Sequence, residues 1–401
     1  MARPDILIYL THSEGIGKLL NCLALARSLS RQFHPVVLNN GPLPRGIDAP
    51  DGVDVVQLPA WEHAPGTGAE GIWDAQEHRR AIAERSEFLL QVYADLKPEI
   101  LLVDTFPFGD INAGDELLPL LEKIRSSSGS SPRAVCCVLD IQKGASSNSQ
   151  NRDDNTAMLL ERFYDLVLVH TDPSFARLEE YFQPKNTLSI PVYHTGFLLP
   201  GQNSFVASGA REGRLLVSAG GGATGGPLFR AAIDAHRLLW DAEHLPMTIV
   251  TGPLLSRKEW SDLRRLGREM QGVTIKRSVP NLGSEMSKVR YSVSQCGYSA
   301  ATEAVASGVS ALFVPSGGRR NAEQTDRAHR LAHWGVGRLL IQEHLNAVSL
   351  ANEIIQLVRF EPRETSFSTA GLANTTTLLD RAYVGSTDHD QPFAAGLGLM
   401  G

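Results

Sequence analysis

Long apolar runs are missing from this 401-residue chain. Its most apolar stretches, such as Asp5-Ile-Leu-Ile-Tyr-Leu10, fall far short of the ~20 residues that cross a bilayer, and no transmembrane segment is expected. The N-terminus carries one Arg and no extended apolar block, so it does not read as a secretory signal. A basic excess is missing too: 38 Lys plus Arg face 44 Asp plus Glu, a formal charge of −6. Proteins that live on a nucleic-acid backbone normally carry the opposite imbalance, so no nucleic-acid partner is expected. Cysteine is scarce. The four present (Cys22, Cys136, Cys137 and Cys296) show no CxxC spacing, and two sit inside a strand-like run, which argues against a disulfide framework or a zinc site. These absences predict a soluble, cytoplasmic protein.

What is present is ample for large cores. Hydrophobic residues make up 42% and charged residues 20%, and a chain of this length accommodates two domains. Short β-rich runs alternate with helical patterns, the signature of parallel sheets covered by helices. In the first half the strands are predicted at Ile6–Leu10, Pro35–Asn39, Val53–Leu58, Glu99–Asp104, Arg133–Asp140 and Asp165–His170. Helical patterns cover Lys18–Gln32, Trp73–Lys97 and Asp115–Arg125. The second half repeats the rhythm, with strands at Arg214–Ala219, Met247–Thr251, Val273–Arg277, Tyr291–Gln295, Val309–Val314 and Gly337–Ile341. The fold class is therefore α/β, two doubly wound parallel-sheet domains with a cleft between them, joined near Leu198–Glu212. The expected partition is 1–200, 205–365 and a C-terminal helix and tail over 366–401. Ser126–Ser131 reads as a flexible surface turn. Gln142–Thr156 reads as a long polar loop, either a lid or a segment without a role.

Ligands of open α/β sheets bind beyond the carboxyl ends of the strands, which selects the turns that matter. The first strand runs into Thr11-His-Ser-Glu-Gly-Ile-Gly-Lys18 and a helix. Gly15 and Gly17 permit a tight turn at a helix N-terminus, where free N–H groups attract anions. Every domain of this class also needs such a turn for purely structural reasons. The first strand of the second half ends in Ser218-Ala-Gly-Gly-Gly-Ala-Thr-Gly-Gly-Pro227. Its glycines strip away side chains so that a diphosphate can approach bare backbone N–H groups. It is neither a dinucleotide fingerprint nor a P-loop, which disfavours an oxidoreductase or an NTPase. Two further strand ends carry Ser294-Gln-Cys-Gly-Tyr-Ser-Ala-Ala-Thr-Glu303 and Val314-Pro-Ser-Gly-Gly-Arg-Arg-Asn-Ala-Glu-Gln324. Glu303 is placed to accept hydrogen bonds from vicinal ribose hydroxyls, and Glu323 and Gln324 to address sugar hydroxyls. Each is singly an ordinary helix-start residue; on successive strand ends they describe a nucleotide-sugar pocket.

On these segments the second half resembles the C-terminal domain of the family 28 glycosyltransferases. Nearly the whole chain resembles a bacterial group of predicted glycosyltransferases. The resemblance is carried by Arg85-Ser-Glu-Phe-Leu-Leu, Leu101–Gly109, Gly220-Gly-Gly-Ala-Thr-Gly225, Ile249–Pro253, Gln295-Cys-Gly-Tyr298 with Glu303, and Glu323–Leu331, in order across roughly 5–360. It implies a GT-B fold of two Rossmann-like domains, acceptor in the first and nucleotide-sugar in the second. It further implies inversion at the anomeric carbon and a UDP-sugar donor. By the same resemblance Gly220, Gly221 and Gly222 line the diphosphate and Gly297, Tyr298 and Ser299 approach the phosphates. The backbone near Ser278 and Val279 reads the base edge, Glu303 takes the ribose, and Glu323 and Gln324 take the donor sugar. Lys18 stands where the family usually has histidine, and a permanently charged lysine is a poor base.

Inverting transfer needs a base for the acceptor hydroxyl and positive or dipolar charge at the departing diphosphate. His12 is the leading base, with Asp104 or Glu14 as partner or substitute, and a hydrogen-bonded structural histidine is the alternative. Gly15, Gly17, Lys18 and Phe106 are candidates for acceptor or phosphate contact, with core packing the competing account of Phe106. No cofactor and no metal are expected; the one Asp-x-Asp, Asp388-His-Asp390, lies in the polar tail. Two other readings stand beside a transferase acting on a small molecule or glycan: a nucleotide-sugar hydrolase or epimerase, and a non-catalytic nucleotide-sugar-binding protein.

Overall fold

A computed structural model describes residues 3–12, 16–41, 43–44, 46–59, 75–109, 112–127, 131–141, 149–201, 210–317 and 322–387. Met1–Ser13, Leu19–Leu198 and Ala370–Gly401 make one compact unit, and Glu14–Lys18 with Leu199–Thr369 the other.

The first unit is built on β1 (Asp5–Leu10), α1 (Gly17–Leu29), β2 (His34–Asn39), β3 (Asp54–Gln57), α2 (Ala75–Leu96), β4 (Ile100–Asp104) and α3 (Asn112–Ser126). It continues with β5 (Arg133–Val138), α4 (Ser149–Phe163), β6 (Leu166–Val169) and β7 (Val192–His194). All seven strands pair in parallel, in the order β3-β2-β1-β4-β5-β6-β7. Alternate side chains serve opposite faces, as the period of a strand dictates. Leu7, Tyr9, Leu101, Val103 and Cys136 pack with Leu89, Leu117, Leu121 and Leu160 of α2, α3 and α4. Ile6, Ile8, Leu10, Ile100, Leu102 and Cys137 pack on the other face with Leu19, Leu23, Ala26 and Leu29 of α1. With both faces covered, the strands read as continuous apolar runs.

The second unit comprises β8 (Glu212–Ser218), α5 (Gly226–Glu243), β9 (Met247–Val250), α6 (Arg257–Arg268), β10 (Val273–Lys276) and α7 (Leu282–Lys288). Then follow β11 (Val289–Ser294), α8 (Tyr298–Ser307), β12 (Ser310–Phe313), α9 (Ala322–His333), β13 (Gly337–Leu339) and α10 (Ala347–Val358). Its six strands are parallel, in the order β10-β9-β8-β11-β12-β13. Leu215, Val217, Ile249, Val293 and Leu312 pack with Phe229 and Ile233 of α5 and with Leu350 and Ile354 of α10.

The last helix, α11 (Gly371–Thr387), belongs to the first unit again and covers the α1 face of its sheet. Leu379 is fully buried in that cluster, Tyr383 meets Phe33 edge-to-face at 5.7 Å, and the Asn374 amide donates to the Thr195 carbonyl at 2.8 Å. A buried leucine and an edge-to-face aromatic pair are together worth about 2–4 kcal/mol, enough to bring the chain end back to the first sheet.

The fold class is as expected, with two corrections. The polar stretch 142–156 is not a loop throughout, since α4 begins at Ser149. Its sequence is too polar to announce a helix, but Leu160 and Phe163 anchor its far end in the core. The seventh strand, β7, is three residues long, too short for its pattern to announce it in the sequence. Residues 142–148, part of the serine-rich turn and most of the link near 202–209 lie outside the described residues. Among the described residues no helix is long and apolar enough to cross a membrane.

Candidate active site

In each sheet the chain lays strands to one side of the first strand and then crosses back to the other. The crossing points fall between β1 and β4 and between β8 and β11. Loops leaving neighbouring strands diverge there and open a crevice at the carboxyl ends. His12 and Asp104 end or follow strands at the first of these places, and Gly220–Gly222 and Gly297–Ser299 follow strands at the second.

At the first crevice, Thr11 Oγ1 donates to the Asp104 carbonyl at 3.4 Å, tying the ends of β1 and β4 together. His12 is 9% exposed, and its Nε2 lies 2.9 Å from Asn39 Oδ1 at the end of β2. Asp104 closes β4 half-buried. The next residue, Thr105, holds φ +70°, a conformation that a β-branched side chain adopts only under strain of ~1–3 kcal/mol. Its neighbours enforce that turn: Thr105 N–H donates to the Cys137 carbonyl at 2.8 Å, and its own carbonyl accepts from Gly109 N–H at 2.9 Å. Stored strain beside a crevice is a signature of functional sites. Gly17 and Lys18 open α1, both half-buried. Glu14 and Gly15 lie outside the described residues, as do Asp388 and Asp390.

Phe106 is not an exposed platform. It is 4% exposed, belongs to the core cluster, and its carbonyl accepts from the Tyr164 hydroxyl at 2.9 Å. Apolar area outweighs any ligand role there: the ring fills the space beside Gly114, where an added Cβ would sit 2.8 Å from Phe106 Cε2.

At the second crevice, the two loops are tied by Gln295, whose Nε2 donates to the Thr224 carbonyl at 3.3 Å. The three glycines 220–222 differ in purpose. Gly222, at φ +92°, lies so close to the Thr251 carbonyl that any Cβ would collide with it, and Leu254 N–H donates to the Gly221 carbonyl at 2.8 Å. Packing against the β9–α6 turn alone therefore requires glycine at 222. Gly220 (φ +51°) is exposed, with nothing within 4 Å of its missing Cβ. Gly297, the N-cap of α8, has the same open space, and it offers no side-chain cap to the helix. Bare backbone at an uncapped helix start is where an anion fits.

Glu303 lies one turn further along α8. Its side chain keeps some surface but is packed round by protein atoms. Burial alone pushes its carboxyl up to about 8, and among the described residues no hydrogen bond or ion pair offsets that cost. A buried carboxyl on the helix that Gly297 opens is a candidate partner for a ligand hydroxyl. The folded protein holds this proton up to about pH 8, whereas an ordinary glutamate at 4.5 has released it. The folded state therefore loses stability as pH rises from 4.5 through 8. Glu303→Gln is expected to be more stable than the parent at about pH 9 and indistinguishable from it at about pH 4, measured by urea titration. An equal gain at both pH values would contradict the assignment.

Around this core, Ser278 is exposed and Val279 half-buried beyond β10, on the loop joined to β9 where Gly252 N–H donates to the Arg277 carbonyl at 3.0 Å. Tyr298 is buried and Ser299 half-buried in the first turn of α8. Glu323 and Gln324 start α9, but Gln324 Oε1 accepts from Ser316 N–H at 3.2 Å, so part of that side chain shapes the loop. Arg327, 3% exposed, donates to the Cys296 carbonyl at 2.6 Å and braces the turn before Gly297. Gln295 and Arg327 lie in segments that carry the family resemblance but were given no role of their own, and Asn39 lies in no motif. The only available signal is a polar residue ending an apolar strand, which Gln295 and Asn39 both satisfy.

All four cysteines are buried and free of disulfides, and burial raises the thiols of Cys22, Cys136 and Cys137. Among the described residues no three His, Cys, Asp or Glu side chains converge as metal ligands do.

Two Rossmann-like parallel sheets, each with its crevice at the crossing point, define a GT-B glycosyltransferase fold. Residues 216–380 match the glycosyltransferase family 28 C-terminal domain. No curated protein matches in sequence. The calicheamicin glycosyltransferase CalG4 is similar in structure (TM-score 0.59, 17% identity, 100% of both chains). So are MurG of Acinetobacter baumannii (0.53, 16%, 97% of this chain and 96% of that one) and the spinosyn rhamnosyltransferase SpnG complexed with thymidine diphosphate (0.57, 16%, 96% and 95%). The family match and the fold together support glycosyl transfer as the chemistry.

Proposed function

We propose that the protein transfers a sugar, with inversion, from a UDP-sugar to a small-molecule or glycan acceptor, without a metal ion. The observation that carries the reading is the buried Glu303 carboxyl on the helix that Gly297 opens, together with the open space over the backbone of Gly220 and Gly297. A nucleoside diphosphate bound here would set its phosphates on the backbone N–H groups and its ribose on the carboxyl. SpnG is complexed with thymidine diphosphate, a pyrimidine nucleoside diphosphate, which supports this donor class.

In this reading the α8 N-terminus, Gly220, Gly221 and the turn of Gly297, Tyr298 and Ser299 hold the diphosphate, and their dipoles stabilise the charge that develops as it departs. Gly222 shapes that loop. Ser278 and Val279 take the base edge, and Glu323 and the free amide end of Gln324 take the donor sugar. His12 removes the proton from the acceptor hydroxyl, with Asp104 or Glu14 as its partner or substitute, and Lys18 and Gly17 serve acceptor or phosphate contact.

Glu303→Ala should weaken UDP binding ~2–13-fold at neutral pH, the worth of ~0.5–1.5 kcal/mol for a lost hydrogen bond to a neutral carboxyl. Calorimetry with UDP and its 2′-deoxy analogue checks it, and unchanged affinity for both would remove Glu303 from the ribose. UDP release tests the reaction itself. Release that requires an acceptor and persists in excess EDTA supports the metal-independent transferase. Release without acceptor means a hydrolase, and binding without release means a module that only holds the nucleotide.

A further inference from the structure

Gln295 follows β11 and is buried. The backbone around it is held on both sides. Its N–H donates to the Ser218 carbonyl at 3.3 Å, and the Cys296 carbonyl accepts from Arg327. From that root the carboxamide reaches across to the glycine loop. Nε2 donates to the Thr224 carbonyl and to Thr224 Oγ1, each at 3.3 Å, and the Thr224 hydroxyl donates to Oε1 at 3.4 Å. A backbone carbonyl only accepts, so the amide cannot turn over without setting oxygen against oxygen. The far side of the loop is held by backbone. Leu254 N–H donates to the Gly221 carbonyl at 2.8 Å, and a Cβ at Gly252 would collide with Gly220 and Gly221. Inside the loop, Gly222 N–H donates to the Ala219 carbonyl at 2.8 Å and Gly225 N–H to the Gly222 carbonyl at 3.2 Å. Among the described residues, the N–H groups of Gly220, Gly221, Ala223 and Thr224 have no such backbone partner.

We propose that Gln295 is a positioning residue for the donor's diphosphate: its bridge to Thr224 holds the glycine loop in one shape, so that these four N–H groups stay arrayed for phosphate oxygens. Loops leaving neighbouring strands at a crossing point diverge, and the Gln295 side chain spans that divergence between β8 and β11. A loop that is already rigid loses little conformational freedom when an anion binds, whereas a slack one must be ordered at that moment. Base and ribose are assigned to Ser278, Val279 and Glu303, which lie outside the bridge, so its loss is felt at the phosphates first. The bridge stands on the hydrogen bonds themselves; its consequence for phosphate rests on the nucleoside diphosphate donor of the proposed function.

Two measurements on the full chain test this: hydrogen exchange without ligand, read by mass spectrometry on peptides holding Gly222, Gly225 and Leu254, and calorimetry with UDP and with uridine. In Gln295→Ala those amides should exchange about 10-fold faster and the Kd for UDP should rise about 10-fold, the worth of one or two hydrogen bonds, with the Kd for uridine unchanged. Thr224→Val, at an exposed position, removes only the hydroxyl and should raise the Kd for UDP about 3-fold, and Thr224→Ser should restore it. Because the two changes break one bridge, the double variant should bind no more weakly than Gln295→Ala, whereas a Gln295 that touches phosphate directly would give the product of the two effects. Parental exchange in Gln295→Ala, or a product of effects, overturns the positioning role. Equal losses for UDP and uridine overturn the link to the diphosphate. If Gln295→Ala does not fold, parental exchange and affinity in Thr224→Val overturn the role by themselves. A parent that binds no UDP while the exchange difference holds removes the proposed donor and the diphosphate role with it, but leaves the loop-holding role standing, which separates the two failures.

Discussion

His12→Ala is expected to lower turnover by ~10²–10⁴-fold, the usual worth of a positioned general base, while donor affinity stays close to that of the parent. The separation follows from placement. His12 follows β1 in the first unit, whereas the residues assigned to the nucleotide leave strands of the second. The rate should also fall at acid pH as the imidazole takes a proton. Asp104→Asn should reproduce part of the loss if that carboxylate orients or polarises the acceptor. Initial rates and calorimetry on the same preparations decide the matter. Near-normal turnover transfers the base role to Asp104 or Glu14, and a matching loss of donor affinity makes His12 a ligand contact.

Arg85→Ala is expected to cost the first unit about 3–5 kcal/mol, because it strands a buried carboxylate. Arg85 and Glu116 are 2% and 1% exposed and form a bidentate ion pair, with the second contact at 3.1 Å. Arg85 also donates to the Pro59 carbonyl and the Asn40 side chain, and the Tyr9 hydroxyl donates to Glu116. Burial, reinforced by the Glu116 carboxylate, raises the Tyr9 phenol well above its ordinary range. The loops after β2 and β3 are thus pinned from α2 and α3, and Asn40 adjoins the Asn39 that faces His12. Removing the arginine should therefore lower activity even where the protein stays folded. The paired replacement Arg85→Met with Glu116→Leu leaves no unpaired charge and should lose far less stability. Urea titrations of the three proteins give the comparison, and an Arg85→Ala within about 1 kcal/mol of the parent would refute the network's role.

The sheets were legible because parallel strands buried on both faces must be apolar throughout, and Asp5–Leu10, Ile100–Asp104 and Arg133–Val138 say so residue by residue. The glycine turns were legible because backbone at a strand end needs positive φ or close approach, as at Gly220 and Gly222. Their separate purposes were not. Only the Thr251 carbonyl, brought in by a neighbouring strand, shows that Gly222 is fixed by packing whereas Gly220 faces open space. Phe106 illustrates the same limit, since a Phe-Pro-Phe turn has the same letters whether its ring fills a core or lines a pocket.

Local pattern thus determined the α/β class, the two sheets, the strand ends and the family likeness, because periodicity and turn chemistry act over a few residues. Tertiary structure alone decided that Arg85 pairs with Glu116, that the Asn39 side chain meets both Gln57 and His12, and that Glu303 has no partner among the described residues. The first two are relations between residues 18 to 31 positions apart in the chain. Burial and hydrogen-bond geometry, which set the protonation of each group, exist only once the strands are laid side by side.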